Sequence, residues 1–559
     1  MSKSNTQKFQ EARDFLLNHR LDYDKCVTEF KWPELQEFNW ARDWFDVYAQ
    51  NSTKTALWIR KDDGTDIKLS YQELSERSDR VASFLQGLGV IPGERIIVLL
   101  PNVVPIWELM LASIKVGAIL VPTSTLATKE EIQDRLTRSG AKFLVTEPSL
   151  VSKVPETPGL TKILFGGTDK NWQNYEDAYS SNRKYYHAKT KAHDPLLLYF
   201  TSGTTSKAKL VQHTHQSYPV GHLSTMYWIG IQENDLHQNI SSPGWAKHAW
   251  SSFFAPFNAG ATTLVHDYAR FNAQNSIKLL HDAKVNTLCA PPTVWRMMIL
   301  EDLGLKPLQL REIVSAGEPL NPEVIEKVEN SWGLQIRDGY GQSETTAQIG
   351  NSPGQTIKPG SMGRPLPGYK ISLLDSNYEV SKEGEVSIHL DQRPLSLMSG
   401  YVDDLEKTQA VMQKGFYRTG DEAMIDDDGY IFFVGRGDDV FKSSDYRISP
   451  FELESVLIEH DAIAEAAIVP SPDPLRTNLA KAYVTLKPGI KPSREIAEKI
   501  LKFAKDALPP YKRIRKIEFQ DLPKTISGKI RRVELRKAEA AKVAKNEKGE
   551  QEYFLSDFE

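Results

Sequence analysis

The stretch IIVLLPNVVPIWELMLASIKVGAILVP, Ile96 to Pro122, decides the architecture. An apolar run, Ile96 to Leu100, stops at Pro101, and a second, Ala118 to Pro122, closes the segment. Between them, from Pro105, apolar residues recur at three- and four-residue spacings up to Gly117. Proline at the start and glycine at the end are the punctuation of a helix. Strand, helix, strand predicts a parallel α/β layer, because a parallel pair needs a crossover connection. The stretch is the most apolar in the chain, yet Pro101, Pro105 and Pro122 cut it and Glu108 and Lys115 charge it, so it reads as core and not as a bilayer span.

Outward from there the alternation continues through KFLVT at Lys142, KILFG at Lys162, PLLLYF at Pro195, TTLVH at Thr262, NTLCAPP at Asn286 and REIVSAG at Arg311. Near Gly360 the texture changes to short strands, KISLLD, GEVSIHL and GYIFFVGR, separated by Gly- and Asp-rich turns. Past Gly435 to Asp439 helical patterns return, with PFELESVLIEH and a helix from about Ser493 to Leu508. The 559 residues exceed what one core supports. We therefore expect a large N-terminal domain of α/β layers with a β-rich subdomain, residues 1–437, and a small α+β domain, residues 438–559, with the boundary at Asp438. The Ala-, Lys- and Glu-rich end from Lys537 reads as a solvated helix or frayed tail, and the N-terminus as a surface helix.

Sixty-nine Lys plus Arg against 73 Asp plus Glu leave a net charge of -4, so no basic field points to nucleic acid. Two cysteines, Cys26 and Cys289, supply neither a disulfide framework nor a thiolate metal site. The N-terminal segment mixes both charge signs without an apolar centre, and no transmembrane or lipidation pattern occurs, which leads us to expect a cytoplasmic protein.

Four segments carry chemistry. YFTSGTTSKAKLVQHTH, Tyr199 to His215, crowds Thr201, Ser202, Gly203, Thr204, Thr205 and Ser206 ahead of Lys207 and Lys209. Glycine admits close backbone approach, hydroxyls donate to oxyanions and ammonium groups neutralise charge, so this composition suits phosphate, though a polar surface loop would look similar. RDGYGQSETT, Arg337 to Thr346, sets two glycines around Tyr340, which suggests a tight turn presenting an aromatic face for stacking. Glu344, flanked by hydroxyls, offers the hard oxygen that Mg²⁺ prefers. In the region from Tyr417 to Glu454, Asp421 and Arg436 bracket a predicted hairpin at Asp427 to Gly429 and could hold ribose hydroxyls or form a surface ion pair. LPKTISGKIRR, Leu522 to Arg532, aims Lys529 out of a basic run that could also be merely solvated.

In order, TSGTTSKAK, SAGEPL, GYGQSETT, YRTGD, GRGDDVFKSSDYR and PKTISGK resemble the motif series of the acyl-adenylate-forming (AMP-binding) enzymes, from about Asn39 to Arg532. FNWARDWFD at Phe38, SSPGWAKHAWSSFFAPFNAGA at Ser241 and PYKRIRKIEF at Pro510 are most similar to the medium-chain acyl-CoA synthetases. The resemblance implies a ligase that uses ATP, Mg²⁺ and coenzyme A: a carboxylic acid attacks the α-phosphate, and the CoA thiol then displaces AMP. It assigns Thr201 to Lys209 to the triphosphate, with Thr204 and Lys209 catalytic, and Gly317, Glu318 and Pro319 to the adenine wall. Asp338, Gly339, Tyr340, Gly341, Gln342 and Ser343 follow as nucleotide contacts, with Tyr340 the stacking residue, Glu344 the Mg²⁺ ligand and Asp421 and Arg436 on ribose. Lys529 is implied for the carboxylate and α-phosphate, and Asp438 for the pivot of a domain alternation between the two steps. Ser444, Asp445, Tyr446, Arg476 and Lys505 are the implied CoA contacts, although Asp445 stands where many relatives have glycine, and Arg447 is implied to contact phosphate. Ser206 and Ala208 likewise replace the Gly and Pro that relatives often carry. Trp245, Gly341 and Ser343 are implied to line the acyl pocket, and Gly341, where acetate-specific relatives carry Trp, is expected to leave room for longer acids. Two other readings stand beside this one: loading of a carrier protein's phosphopantetheine, and a non-catalytic nucleotide sensor on the same fold.

Overall fold

The computed structural model describes residues 3–180, 184–201, 208–268, 270–402, 404–444, 446–524 and 529–558. The chain divides into two compact units, Met1–Ile371 with Ile388–Tyr417, and Ser372–Ser387 with Arg418–Glu559.

Two sheets organise the larger unit. In the first, strand Arg95–Leu99 runs parallel to both Ile119–Pro122 and Phe143–Thr146, and the helix Pro105–Val116 makes the predicted crossover. That helix is buried along its whole length and ends at Gly117 in the left-handed conformation, φ 71°, which a side chain would strain. Its two charges are matched inside the fold. Lys115 Nζ lies 2.6 Å from Asp79 Oδ1 and 2.8 Å from Asp46 Oδ1, and Glu108 Oε2 accepts from Tyr175 and Tyr179 at 2.8 and 2.9 Å. The sheet continues from Ile119–Pro122 to Pro195–Thr201, Lys209–Thr214 and Gly400–Tyr401. The second sheet places Leu236–Asn239, Thr287–Ala290, Glu312–Ala316 and Arg337–Gly341 side by side in parallel.

In the smaller unit, part of the β-rich segment stays with the C-terminal elements. The hairpin Phe416–Ile425 and Ile431–Arg436 leads to the helix Pro450–Ile458, where the Ser449 hydroxyl donates to the Val434 carbonyl and the Phe433 and Phe451 rings lie 6.2 Å apart. A four-stranded sheet follows, Ile463–Asp473, Thr477–Leu486, Ile514–Phe519 and Glu552–Phe554.

The N-terminal helix Asn5–Asn18 lies at the surface, with Gln7, Glu11, Asp14 and Asn18 exposed, and is anchored by its other face: Phe9 and Leu16 are buried, and Arg13 donates to the carbonyls of Asn258 and Ala259 at 2.6 and 2.8 Å. One expectation needs correction. The tail from Lys537 is not frayed, because the helix Arg532–Ala544 and the strand Glu552–Phe554 deliver buried Glu539 and Glu552 to Lys481 Nζ, at 2.5 and 2.9 Å. A buried ammonium needs that many carboxylates, and their demand orders the tail.

Candidate active site

The larger unit brings together most of the residues implied for the nucleotide. Thr201 and Lys209 are register partners across the antiparallel pair Pro195–Thr201 and Lys209–Thr214, so the two ends of the phosphate-loop motif are pinned side by side. Ser202, Gly203, Thr204, Thr205 and Ser206 lie outside the described residues.

From Lys209 a polar chain runs to Glu344. The Tyr401 hydroxyl donates to Glu344 Oε1 at 2.9 Å, and Lys209 Nζ sits 3.3 Å from that hydroxyl and 3.7 Å from the same carboxylate oxygen. Gly400–Tyr401 pairs with Lys209–Thr214, with Tyr401 opposite Val211, and the Met398 N–H donates to the Glu344 carbonyl at 2.8 Å, so backbone ladders fix all three groups. Burial and the neighbouring Glu344 carboxylate drive the Tyr401 phenol far above its ordinary range, which keeps it a donor. Oε1 of Glu344 is thereby engaged, and among the described residues no hydrogen bond or ion pair reaches its Oε2.

Opposite in sequence but adjacent in the second sheet is the implied adenine wall. Ser315 pairs with Asp338 and Ala316 with Gly339, so the turn Gly317, Glu318, Pro319 leaves the sheet beside Asp338. Gly317 adopts φ 110° with nothing near the place a Cβ would take, which presents bare backbone. Glu318 is held by Arg296, Nη2 to Oε2 3.1 Å. Burial pushes the Asp338 carboxyl up to about 8, against the pull of the Gly339 and Leu320 N–H groups and Lys247.

Tyr340 corrects the expected tight turn. It lies half-buried in the strand Arg337–Gly341, and the flanking glycines exist for close approach. A Cβ at Gly339 would stand 2.3 Å from Trp228 Cε2, and one at Gly341 would stand 2.3 Å from the Thr346 carbonyl oxygen and 2.6 Å from Trp250 Cη2. Ring-sized neighbours, not turn geometry, demand glycine there. Gln342 accepts from the Tyr417 hydroxyl at 2.9 Å, and the Ser343 carbonyl bonds His213 Nε2 at 2.7 Å. Trp245 is half-buried where the chain enters the helix Ala246–Ala249; the preceding Gly244, φ 93°, packs so tightly on Thr123 and Ser124 that a Cβ would fall 2.3 Å from the Ser124 nitrogen.

The residues implied in the smaller unit are more exposed. Asp421 and Arg436 face each other across the hairpin, Nε to Oδ1 3.8 Å, with Asp421 buried and the Arg436 side chain 43% exposed. Asp438 is exposed, with Arg536 Nη2 3.8 Å from its carboxylate. Of the implied CoA contacts, Ser444 donates its N–H to the Arg476 carbonyl at 2.7 Å with φ 54°, and Tyr446 stacks on Tyr511 at 4.5 Å. Arg447 reaches Glu422 Oε1 at 2.9 Å. Asp445 lies outside the described residues, and Lys505 lies in the last turn of the helix Arg494–Ala507. Lys529 is exposed.

Sequence reasoning missed Tyr401, Trp250 and the Tyr218 that holds Trp250. Each acts through partners far along the chain, and none stands in a motif whose composition singles it out.

The chain that carries these phosphate-loop ends and this positioned carboxylate matches a known family. Residues 44–402 match the AMP-binding enzyme family and residues 452–529 the AMP-binding enzyme C-terminal domain. The chain belongs to the AMP-binding enzymes. It is 46% identical over 534 residues to a 4-hydroxybutyrate–CoA ligase of Metallosphaera sedula, covering 93% of this chain and 94% of that one. It is 36% identical to the mitochondrial acyl-coenzyme A synthetase ACSM3 of Rattus norvegicus, over 95% and 96% of the two chains. Among solved structures it is similar to the anthranilate–CoA ligase AuaEII in complex with anthranoyl-AMP, with a TM-score of 0.81, 28% identity and coverage of 91% and 98%.

Proposed function

We propose that the chain is an AMP-forming acid–CoA ligase that activates a short- to medium-chain monocarboxylic acid as its acyl-adenylate and transfers the acyl group to CoA. The observation that carries this reading is the fixed Lys209, Tyr401 and Glu344 constellation at the end of the phosphate-loop motif. A CoA ligase of 46% identity and a structural relative holding an acyl-AMP support it.

In the first step a carboxylate oxygen attacks the α-phosphorus of ATP and pyrophosphate leaves. Both reactants are anions, so the protein's task is positioning and charge neutralisation, and no side-chain nucleophile is needed. Lys209 and Thr201 to Ser206 take the phosphates, and Lys529 takes the oxygens shared by the acid and the α-phosphate. Asp338 contacts the nucleotide, Tyr340 stacks on the base, and Asp421 with Arg436 holds ribose. Glu344, with Oε1 engaged by Tyr401, fits Mg²⁺, which takes few protein carboxylates and completes its shell with phosphate and water. That ion would add electrostatic neutralisation of the phosphates. In the second step the CoA thiolate attacks the acyl carbon and AMP leaves; Ser444, Asp445, Tyr446, Arg476 and Lys505 are the CoA contacts, and Arg447 contacts phosphate. The C-terminal domain pivots at Asp438 between the steps. Among the described residues no helix is long and apolar enough to cross a membrane, and we place the enzyme in the cytoplasm.

The test is pyrophosphate release with ATP and Mg²⁺ across acids from acetate to decanoate plus isobutyrate and benzoate, each with and without CoA. Release that depends on the acid, and acyl-CoA on adding CoA, is the expected result. Adenylate that accumulates with no transfer to CoA favours the carrier-protein reading, and nucleotide binding without turnover favours the sensor.

A further inference from the structure

Glu344 and Lys209 belong to different sheets, and one buried side chain ties the two together. Lys209 opens the strand Lys209–Thr214 of the first sheet, whereas Gln342 to Thr346 link the antiparallel strands Arg337–Gly341 and Ala347–Gly350 of the second. His213 lies on the Lys209 strand, is 0% exposed, and places its Nε2 2.7 Å from the Ser343 carbonyl. Its Nδ1 lies 3.0 Å from the Ser217 hydroxyl, whose oxygen accepts the Thr214 N–H at 2.8 Å. These partners fix the tautomer. A carbonyl can only accept, so Nε2 carries the proton; in the neutral ring Nδ1 then accepts, and the Ser217 hydroxyl donates to it. Burial favours that neutral form, and the Tyr218 ring packs against the imidazole with centroids 4.1 Å apart.

We infer that His213 is a positioning residue: its Nε2–H holds the peptide that joins Ser343 to Glu344 against the Lys209 strand, and so sets where the Glu344 carboxylate meets Mg²⁺. This rests on the reading of Glu344 as the metal ligand of a CoA ligase. Both peptide planes that flank the Glu344 Cα are held, the one before it by His213 and the one after it by the Met398 N–H on the Glu344 carbonyl at 2.8 Å. Two fixed planes set the direction in which the side chain leaves the backbone. Tyr401 then holds the far end of that side chain, at 2.9 Å from Oε1. Without the Nε2–H the leading plane loses its partner, and the carboxylate is free to swing away from Lys209 and Tyr401. His213 acts through Ser343 and Glu344, and touches neither metal nor substrate.

The experiment measures ATP affinity by calorimetry with and without Mg²⁺, with no acid present so that nothing turns over, in wild type, His213→Leu, His213→Gln and Ser217→Ala. The Mg²⁺ dependence of acid-driven pyrophosphate release is read beside it. Mg²⁺ should tighten ATP binding to wild type. His213→Leu should cut that enhancement about tenfold and raise the Mg²⁺ needed for half-maximal release by a similar factor, with metal-free ATP affinity within about twofold of wild type. His213→Gln, whose amide N–H can stand in for Nε2–H, should recover most of the loss, and Ser217→Ala, which removes only the group that orients the ring, should lose part of the enhancement. An unmoved enhancement in His213→Leu overturns the inference, as does an equal loss of metal-free affinity or a His213→Gln protein no better than His213→Leu. If His213→Leu does not fold, an unmoved enhancement in Ser217→Ala decides against it. Wild type that binds ATP equally with and without Mg²⁺ would take the metal away from Glu344 and the role of His213 with it. Mg²⁺-dependent binding that responds to the variants, in a protein that forms no acyl-CoA from any acid, would sink the ligase reading and leave the tether standing.

Discussion

The larger unit buries five histidines that burial holds neutral, whereas the smaller one gathers three buried carboxylates around a single buried lysine. His213, His215, His222 and His237 are 0% exposed and His248 4%. Burial pushes His213 down to about 4 and His215, His237 and His248 to about 3, and drives His222 well below the ordinary histidine range. In the smaller unit Lys481, also 0% exposed, lies within 2.9 Å of carboxylate oxygens of Glu518, Glu539 and Glu552. Despite the cost of burial, those carboxylates hold Lys481 above the ordinary lysine range, and the Lys481 ammonium and Ser471 hydroxyl hold Glu539 below the ordinary carboxylate range. The site residues divide the same way. In the larger unit Asp338 and Glu344 are buried and Tyr340, Gly341, Gln342 and Ser343 half-buried, while in the smaller one Arg436, Tyr446, Arg447 and Lys529 are exposed. The contrast teaches a division of labour: in one unit the implied site groups are fixed by packing and backbone ladders, and in the other the core charges are satisfied from within while the implied site cations stand at the surface.

The largest way to break the comparison is pH. A histidine whose folded pKa is depressed binds its proton more readily when unfolded, so its contribution is complete above the unfolded value near 6.5 and is lost as pH falls from there toward the folded value. Each buried histidine adds up to about 1.4 kcal/mol per pH unit in that window. Calorimetry from pH 7 to 4.5 should show the larger unit's transition falling steeply, with the smaller unit's transition nearly constant. Glu539, with its folded pKa lowered, loses its contribution only as pH falls through the carboxylate range, and Lys481 only as pH rises past its ordinary value. Parallel decline of both transitions would erase the distinction.

Next in size, Lys481→Ala takes from Glu518, Glu539 and Glu552 the ammonium they share, leaving Lys542 to Glu518 and Lys516 to Glu539, and should cost the smaller unit about 3–5 kcal/mol, measured by denaturant unfolding, with nucleotide binding by the larger unit retained. Lys529→Ala should slow adenylation about 10²–10³-fold, the scale of losing one transition-state donor, while thioester formation from supplied acyl-AMP changes little. Equal loss in both steps would make Lys529 structural. The smallest effect is expected for Tyr401→Phe. Removing one hydrogen bond to the Glu344 carboxylate should raise the Mg²⁺ needed for half-maximal pyrophosphate release about tenfold, with ATP binding in the absence of Mg²⁺ and the melting temperature unchanged. A shift in metal-free ATP binding instead would assign Tyr401 to the nucleotide.

Local patterns carried the architecture into view. The run from Ile96 to Pro122 contains its own strand, helix, glycine stop and strand, and the structure reproduces each. The candidate site was legible where a motif states its chemistry, as for Lys209 and Glu344. It was illegible where a partner arrives from far along the chain: Tyr401 is 57 residues from Glu344, and Glu539 58 from Lys481. Lacking Lys481, the tail's own composition could only read as solvated. Gly339 and Gly341 illustrate a subtler loss, since glycine for a turn and glycine for a close-packed ring are the same letter, and only Trp228 and Trp250 tell them apart.

The measurement that tests the division of labour most directly is rapid-quench analysis of Asp438→Pro, following pyrophosphate release from ATP and acid and, separately, acyl-CoA formation from supplied acyl-AMP. The account predicts adenylation within a few-fold of wild type and a large loss of thioester formation, because the groups fixed in the larger unit need no pivot to begin but the second step does. Equal loss of both half-reactions, or of neither, would contradict it.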